Sequence, residues 1–314
     1  MDALALGLDV GGTKILASLL DGAGVSRGEW RLSTPASAGA DAVLEALAAA
    51  ALGALSELTQ EERRRVVGVG VSAAGQIDVE AGVVAYASPN IAGWTGSPVG
   101  PWLADRLALP VVVENDANAA AYGEHRLGVG QGCRSLVAVT VGTGVGGGLV
   151  LDGRLWRGGR WRGGEVGHIV VQAEGVRCNC GQTGCLEVYA SGTAIARLAA
   201  EAVPGFGGTA HDVFAAAGAG DPTMRAVLAR SARFMAQGLV SIASLVDPDM
   251  FVLGGGVVSQ PSYLGWLGDA LRDPAVAGER GLSPDALRLA ALGERAGALG
   301  AACLALEAAG VSLR

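Results

Sequence analysis

Residues 9–14 read Asp-Val-Gly-Gly-Thr-Lys (DVGGTK) and close an apolar run, 3–10, with the composition of a buried strand. Strand character resumes at 14–20, Asp21-Gly22 is a turn signal, and 25–32 is a third strand. The opening is therefore a hairpin and then a meander. That excludes the strand–loop–helix order of a Rossmann or P-loop site, and the pattern GxxxxGK[ST] is absent. Within 9–14 the glycines let backbone N–H groups approach phosphates, Thr13 adds a hydroxyl, and Asp9 is placed to orient a hydrated Mg²⁺. An ordinary Gly-Gly turn would look the same.

The pattern returns about 130 residues later. A buried strand, 135–141, runs into TVGTGVGGG at 140–148, and a further strand follows at 147–151. Duplicated strand–turn–strand units, each followed by alternating helices and strands, imply two related lobes facing a cleft. The arrangement resembles the actin-like ATPase fold (ribonuclease H-like, α/β, with duplicated βββαβα cores), which sugar kinases share. Between the repeats, 40–58 has helical periodicity, 63–65 is a run of arginines before the strand 66–72, and SAAGQID at 72–78 is a loop. Residues 86–98, rich in Pro, Gly, Asn and Ser, form a long loop whose Trp94 either faces a sugar or packs. A short helix at 101–107 precedes the strand 110–113.

That strand ends in ENDANAAAYGEH, 114–125, ahead of a helix at 117–127. Glu114, Asn115 and Asp116 thus lie at the carboxyl end of a strand, where α/β folds place ligands. Asp116 can serve there as a plain helix cap. Further helices are expected at 192–202, 213–217, 222–245 and 296–309, a loop at 204–209, and strands at 250–253 and 288–291. Gly254-Gly255-Gly256 has room for a flat ring, such as adenine or its ribose, against the backbone. The expected division is a small lobe at 1–117, with a C-terminal helix of about 297–314 packing back on it, and a large lobe at 118–296.

The large lobe carries GGEVGHIVVQAEGVRCNCGQTGCLE at 163–187, which holds three of the five cysteines and one of three histidines. His168, Cys178, Cys180 and Cys185 supply the four N/S ligands of a closed, structural zinc site. Reduced surface thiols are the alternative; a disulfide has no oxidising compartment to support it. A net charge of −7 argues against general affinity for nucleic acid or anionic membranes. No signal peptide is recognised and no apolar run is long enough to span a bilayer, so a cytoplasmic protein is expected.

With these pieces in place the chain resembles the ROK family (repressors, open reading frames and kinases), its bacterial glucokinases above all. The resemblance covers essentially the whole chain. It rests on DVGGTK 9–14, ENDANAAAYGE 114–124, TVGTGVGGG 140–148, GGEVGH 163–168, CNCGQTGCLE 178–187 and LGGGV 253–257. It implies ATP-dependent phosphorylation of a hexose at its 6-hydroxyl, with glucose as substrate. Asp116 matches the catalytic base. Asn115, Glu165, His168 and Glu187 match sugar ligands, and Gly75, Ser88 and Asn90 match the loop lining the sugar. Gly11, Gly12, Thr13 and Lys14 match the first phosphate loop, Thr143 and Gly144 the second, and Gly254 and Gly255 the nucleotide-base region. The cysteine cluster with His168 matches the family's zinc site. A homodimer or homotetramer is implied.

One stretch departs from the family pattern: GGRWRGGEVGH inserts Trp161 and Arg162 ahead of Glu165, near the 2-hydroxyl side of the sugar. With an ordinary carboxyl pKa of about 3.9, Asp116 is expected to be an anion at pH 7. N-acetylmannosamine, N-acetylglucosamine, fructose and allose remain as other hexoses, and polyphosphate as a donor is disfavoured by LGGGV. A sugar-responsive repressor would need an added DNA-binding module before the first strand, and an actin-like chaperone ATPase would not need Asn115, Glu165 and Glu187.

Overall fold

A computed structural model describes residues 3–88, 90–278 and 282–313. The chain divides into two compact units, Met1–Gly132 with Gly148–Gly163 and Ala291–Arg314, and Cys133–Gly147 with Gly164–Ala290. It begins β1 (Leu4–Val10), β2 (Lys14–Asp21), β3 (Ser26–Ser33), α1 (Ala40–Ser56), α2 (Gln60–Arg65) and β4 (Val66–Ala73). β5 (Gln76–Asp78), β6 (Val83–Tyr86), α3 (Val99–Leu107), β7 (Val111–Asn115) and α4 (Asp116–Leu127) follow. β1 pairs antiparallel with β2 and parallel with β4, which pairs parallel with β7, so the sheet order is β3-β2-β1-β4-β7.

The next strands are β8 (Leu136–Val141), β9 (Val145–Leu151) and β10 (Arg154–Trp156). Helices α5 (Glu187–Ala190), α6 (Gly192–Ala202), α7 (Ala210–Gly218) and α8 (Pro222–Val246) lead to β11 (Met250–Gly254). α9 (Pro261–Arg272), α10 (Pro274–Ala277), β12 (Leu287–Leu289) and α11 (Ala296–Ala308) complete the chain. The second sheet has the order β10-β9-β8-β11-β12, the same path as the first, so the duplication read from the two glycine turns holds at the level of topology.

Leu4, Leu6, Leu8 and Val10 of β1 are at most 3% exposed, because α1 and α11 cover the sheet. On the α11 side the approach is backbone to backbone. A Cβ built on Gly7 would lie 1.8 Å from the Ala298 carbonyl oxygen, and one on Gly70 1.9 Å from that of Ala301. Such close packing leaves no room for one added methyl, and it explains the run AGALGAACLALEA in α11. In the second unit, α8 buries Met224, Val227, Leu228, Met235, Leu239 and Ile242, the three-and-four spacing of an amphipathic helix. No helix among the described residues is long and apolar enough to cross a membrane.

Several sequence expectations change. The arginines 63–65 end helix α2, which Thr59 opens: its hydroxyl accepts from Glu62 N, while Glu62 accepts from Thr59 N at 2.9 Å. The T-x-x-E signature was there to be read. The stretch 72–78 contains β5, paired with β6, and so is no simple loop. Trp94 is 2% exposed and donates its indole N–H to Ala74 O at 3.1 Å, which makes it a packing residue and not a sugar-facing one. The division at 117/118 would cut through the start of α4, whereas that helix lies wholly in the first unit, as does α11.

Candidate functional site

β7 ends where α4 begins, and three consecutive side chains there have distinct tasks. Glu114 is 2% exposed. Asn115 caps α4: its carbonyl oxygen accepts from Asn118 N at 3.1 Å. Its amide nitrogen donates to Gly75 O at 2.9 Å and to Asp116 Oδ1 at 3.0 Å, so both amide hydrogens have partners within the protein. Asp116 is therefore not the cap. It is the first helical residue, and its Oδ1 also accepts from Ala117 N at 2.9 Å, which leaves Oδ2 without a partner among the recorded hydrogen bonds. A carboxylate relieved of capping and aimed by a neighbouring amide is placed to receive a proton.

Its ionisation differs from the sequence expectation. Water reaches the Asp116 side chain, yet protein crowds around it. Poor solvation pushes its pKa up to about 6, the Asp9 carboxylate pushes the same way, and the Ala117 N–H and Asn115 amide offset part of the rise. Burial likewise raises Asp9, against a hydrogen bond from the Ser72 hydroxyl (2.5 Å) and the nearby Lys14 charge. Two neighbouring carboxylates with raised pKa values mark a candidate functional site. The N-terminus of α11 packs against Asp9, since a Cβ on Gly297 would lie 2.5 Å from Asp9 Oδ1.

The first glycine turn is closed by Gly11 N donating to Lys14 O at 3.0 Å. Gly12 and Thr13 are exposed, and a Cβ on Gly12 would meet nothing within 4 Å. Lys14 pairs with Glu294, which also pairs with Arg31. Gly75, held at φ +108 and with Tyr86 O 2.5 Å from where a Cβ would sit, presents its carbonyl to Asn115. Ser88 and Asn90 are exposed on the following loop, where Ser88 O accepts from Asn90 N at 2.8 Å.

In the second unit the turn at 142–144 is tied to α5 and α6. Gly192 N donates to Gly142 O at 2.7 Å, the Thr193 hydroxyl to Thr143 O at 2.8 Å, and Val145 N to Glu187 Oε2 at 3.0 Å. Gly144 has no side chain because Glu187 fills the space: a Cβ there would sit 2.4 Å from Oε2. Beside this turn opens a cavity of about 640 Å³ lined by Gly142, Thr143, Thr193, Phe214, Gly256 and Val257, among others. That volume suits a nucleoside. Gly254 and Gly255 do not line it. Gly255, at φ +92 and pressed against Val141 O, makes the turn that delivers Gly256 and Val257 instead. Thr193, Thr209, His211, Phe214 and Gln260 also line the cavity and were missed; only the helix starts near 192 and 210 hinted at them.

The segment after Gly164 folds on two isolated bridges, Val170↔Cys185 and Arg177↔Thr183. A turn closed by Gly181 N donating to Cys178 O brings Cys178 and Cys180 round. The donor atoms of His168, Cys178, Cys180 and Cys185 lie within 4.8 Å of one another. Cys180 Sγ is 3.6 Å from Cys185 Sγ, too far for a disulfide. It is also near the roughly 3.8 Å edge of a tetrahedron with 2.3 Å Zn–S bonds. His168 Nδ1 faces Cys178 Sγ at 3.7 Å, and its Nε2 lies 3.9 Å from Glu165 Oε2. Burial pushes the Cys185 thiol up to about 12, so a cation is what would make it a thiolate. The donor set fits zinc.

The duplicated sheets define an α/β protein of the actin-like ATPase (ribonuclease H-like) class, with a carboxylate junction in one unit and a nucleoside-sized cavity in the other. The family model "ROK family" matches residues 5–308, and the chain belongs to that family. A glucokinase of Streptomyces coelicolor is 36% identical over 97% of this chain and 98% of its own length. An N-acetylmannosamine kinase of Citrobacter koseri is 36% identical over 96% of this chain and 98% of its own. A crystal structure of a ROK family glucokinase from Streptomyces griseus, in complex with glucose and AMPPNP, superposes with a TM-score of 0.79. It is 37% identical and covers 97% of this chain and all of its own.

Proposed function

We propose that this protein is an ATP-dependent sugar kinase that transfers the γ-phosphoryl group of MgATP to the 6-hydroxyl of glucose. The observation that carries the reading is the Asp116 carboxylate, freed from capping by Asn115, oriented by it, and set beside a second carboxylate, Asp9. Asp116 accepts the hydroxyl proton as the sugar oxygen bonds to the γ-phosphorus and the bond to the ADP oxygen breaks. With a pKa of about 6 it is mostly ionised at pH 7 and a stronger base than an ordinary carboxylate.

The adenosine moiety is assigned to the 640 Å³ cavity of the second unit, and the phosphates to the N–H groups of Gly12 and Thr13, in the turn that Gly11 closes, and of the turn 143–144. Bound Mg²⁺ would supply charge neutralisation at the phosphates, with Asp9 the residue to hold its water shell. Asn115, Glu165, His168 and Glu187 are assigned to sugar hydroxyls, with Gly75, Ser88 and Asn90 lining the same subsite. Carboxylate acceptors reject sugars lacking the matching hydroxyl, because the buried partner would go unpaired. Zinc held by His168, Cys178, Cys180 and Cys185 does no chemistry in this reading. It fixes the segment carrying Glu165 and Glu187. A cytoplasmic homodimer or homotetramer accompanies the reading.

The second reading is an N-acetylmannosamine kinase, favoured by the equal identity to such an enzyme. ADP release measured with glucose, N-acetylmannosamine, N-acetylglucosamine, fructose and allose decides between them. The highest kcat/KM is expected with glucose. An N-acetyl sugar in first place would overturn the substrate, and no ADP release with any hexose would overturn the kinase.

A further inference from the structure

Glu114 has a role that the proposed chemistry leaves unassigned. It is a carboxylate 2% exposed, immediately before Asn115, and every oxygen has a partner. Oε1 accepts from Asn115 N and from the Asn118 side-chain amide, each at 3.0 Å; Oε2 accepts from Arg157 Nε at 2.5 Å. Arg157 arrives from far along the chain. It opens the segment after β10, whose residues return on themselves so that Gly163 N donates to Arg157 O at 2.8 Å. That short loop holds Gly158 at φ +72 and Trp161 at φ +54, the latter a left-handed conformation that a tryptophan adopts only when its surroundings impose it. Arg157 is the group on the loop that reaches the β7–α4 junction through a recorded hydrogen bond.

An unbroken line of hydrogen bonds therefore joins a remote guanidinium to the proposed base. Arg157 holds Glu114, Glu114 holds the Asn115 backbone and Asn118, and the Asn115 side chain holds Asp116 Oδ1. With Glu114 buried and Arg157 half-buried, desolvation of the carboxylate offsets much of the attraction, so what the pair supplies is a fixed geometry more than stability. We propose that Arg157 and Glu114 are positioning residues for Asp116, a charge pair of a buried carboxylate and a half-buried guanidinium that locks the β7–α4 junction and with it the orientation of the catalytic carboxylate. The proposal rests on the reading of Asp116 as the base, and it explains why an arginine stands where the chain leaves β10.

The test is a double-mutant cycle on the full-length protein, read as steady-state kcat and sugar KM. Arg157→Met is expected to lower kcat about 10–100-fold, the scale of a misplaced catalytic group, with KM within about threefold. Arg157→Lys, which keeps the charge and one donor but not the Nε–H geometry, should recover part of that loss. If the pair acts through Asp116, then adding Arg157→Met to Asp116→Asn lowers the residual rate no further. Equal cost in both backgrounds, or an Arg157→Met kcat within twofold of wild type, would overturn the proposal. Should Arg157→Met fail to fold, Arg157→Lys in the same two backgrounds gives the same decision. An Asp116→Asn variant with near-wild-type activity would instead sink the reading of the base, so the two failures are told apart.

Discussion

The two glycine turns occupy the same place in the two sheets, yet their surroundings have diverged. At the end of β1 stands Asp9, in register with Ser72 of β4, whose hydroxyl donates to it. At the matching point of β8 stands Thr140, in register with Gly254 of β11. One turn therefore looks onto two carboxylates, Asp9 and Asp116. The other has a single carboxylate, Glu187, already engaged by Val145 N, and otherwise looks onto hydroxyls, glycines and an open cavity. The difference teaches that a shared scaffold fixes where backbone N–H groups point, while single residues beside the turn divide the labour. The carboxylates with raised pKa values fall to the first unit, and a nucleoside-sized cavity to the second.

Breaking the charged side should have the largest effect. Asp116→Asn keeps a carbonyl oxygen for the Ala117 N–H and the Asn115 amide but cannot take a proton; kcat should fall roughly 10²–10⁴-fold with the circular dichroism spectrum unchanged. In the wild type, log kcat/KM should fall with unit slope below about pH 6, where the base of the free protein protonates. A pH-independent rate from 5 to 8 would remove Asp116 from the chemistry. Asp9→Thr makes the first turn resemble the second, and should cost about 10–100-fold in rate at low Mg²⁺, partly recovered by added Mg²⁺. Cys180→Ser tests the second unit: zinc should be lost by metal analysis and the sugar KM should rise about tenfold, with kcat less affected.

Much of this was legible because it is local. DVGGTK and TVGTGVGGG announced the duplication, ENDA placed the junction, and the C-x-C spacing with His168 marked the cluster that the structure brings within 4.8 Å. What the residues hid was long-range. The rise in Asp116's pKa comes from protein crowding it and from Asp9, more than a hundred positions earlier, which no spacing reveals. Asn115 and not Asp116 caps the helix, and both are good capping residues, so the choice rests on backbone angles. Arg157 gave no sign, because its partner Glu114 lies 43 positions away. The cavity lining was shifted from Gly254 and Gly255 to Gly256 and Val257 by a turn whose left-handed residue only coordinates identify.

Gly256 offers a milder perturbation of the uncharged side. It lines the cavity, and a Cβ there would meet nothing within 4 Å, so Gly256→Val should fold normally while narrowing the space proposed for the nucleoside. The KM for ATP should rise about tenfold, a cost in the usual range for an overfilled pocket, with the sugar KM unchanged. A rise in the sugar KM alone would move the nucleoside elsewhere.

The smallest effect has the most informative sign. Asp116 is raised from 3.8 to about 6 in the folded protein, so the folded state binds the extra proton between those values and its ionised form is disfavoured above them. Stability supplied by the neutral carboxyl is thus fully present below about pH 4 and lost as pH rises through 6. Asparagine, which never ionises, escapes that loss and keeps the hydrogen bonds to Oδ1. Asp116→Asn should therefore raise the melting temperature at pH 7 by about one to two degrees, and the increment should shrink as pH falls from 6 to 4. Solvent at the side chain keeps it small. A variant that melts lower at pH 7 would mean that the carboxylate stabilises the junction it occupies, and the contrast between a first unit holding a disfavoured charge and a second without one would fail with it.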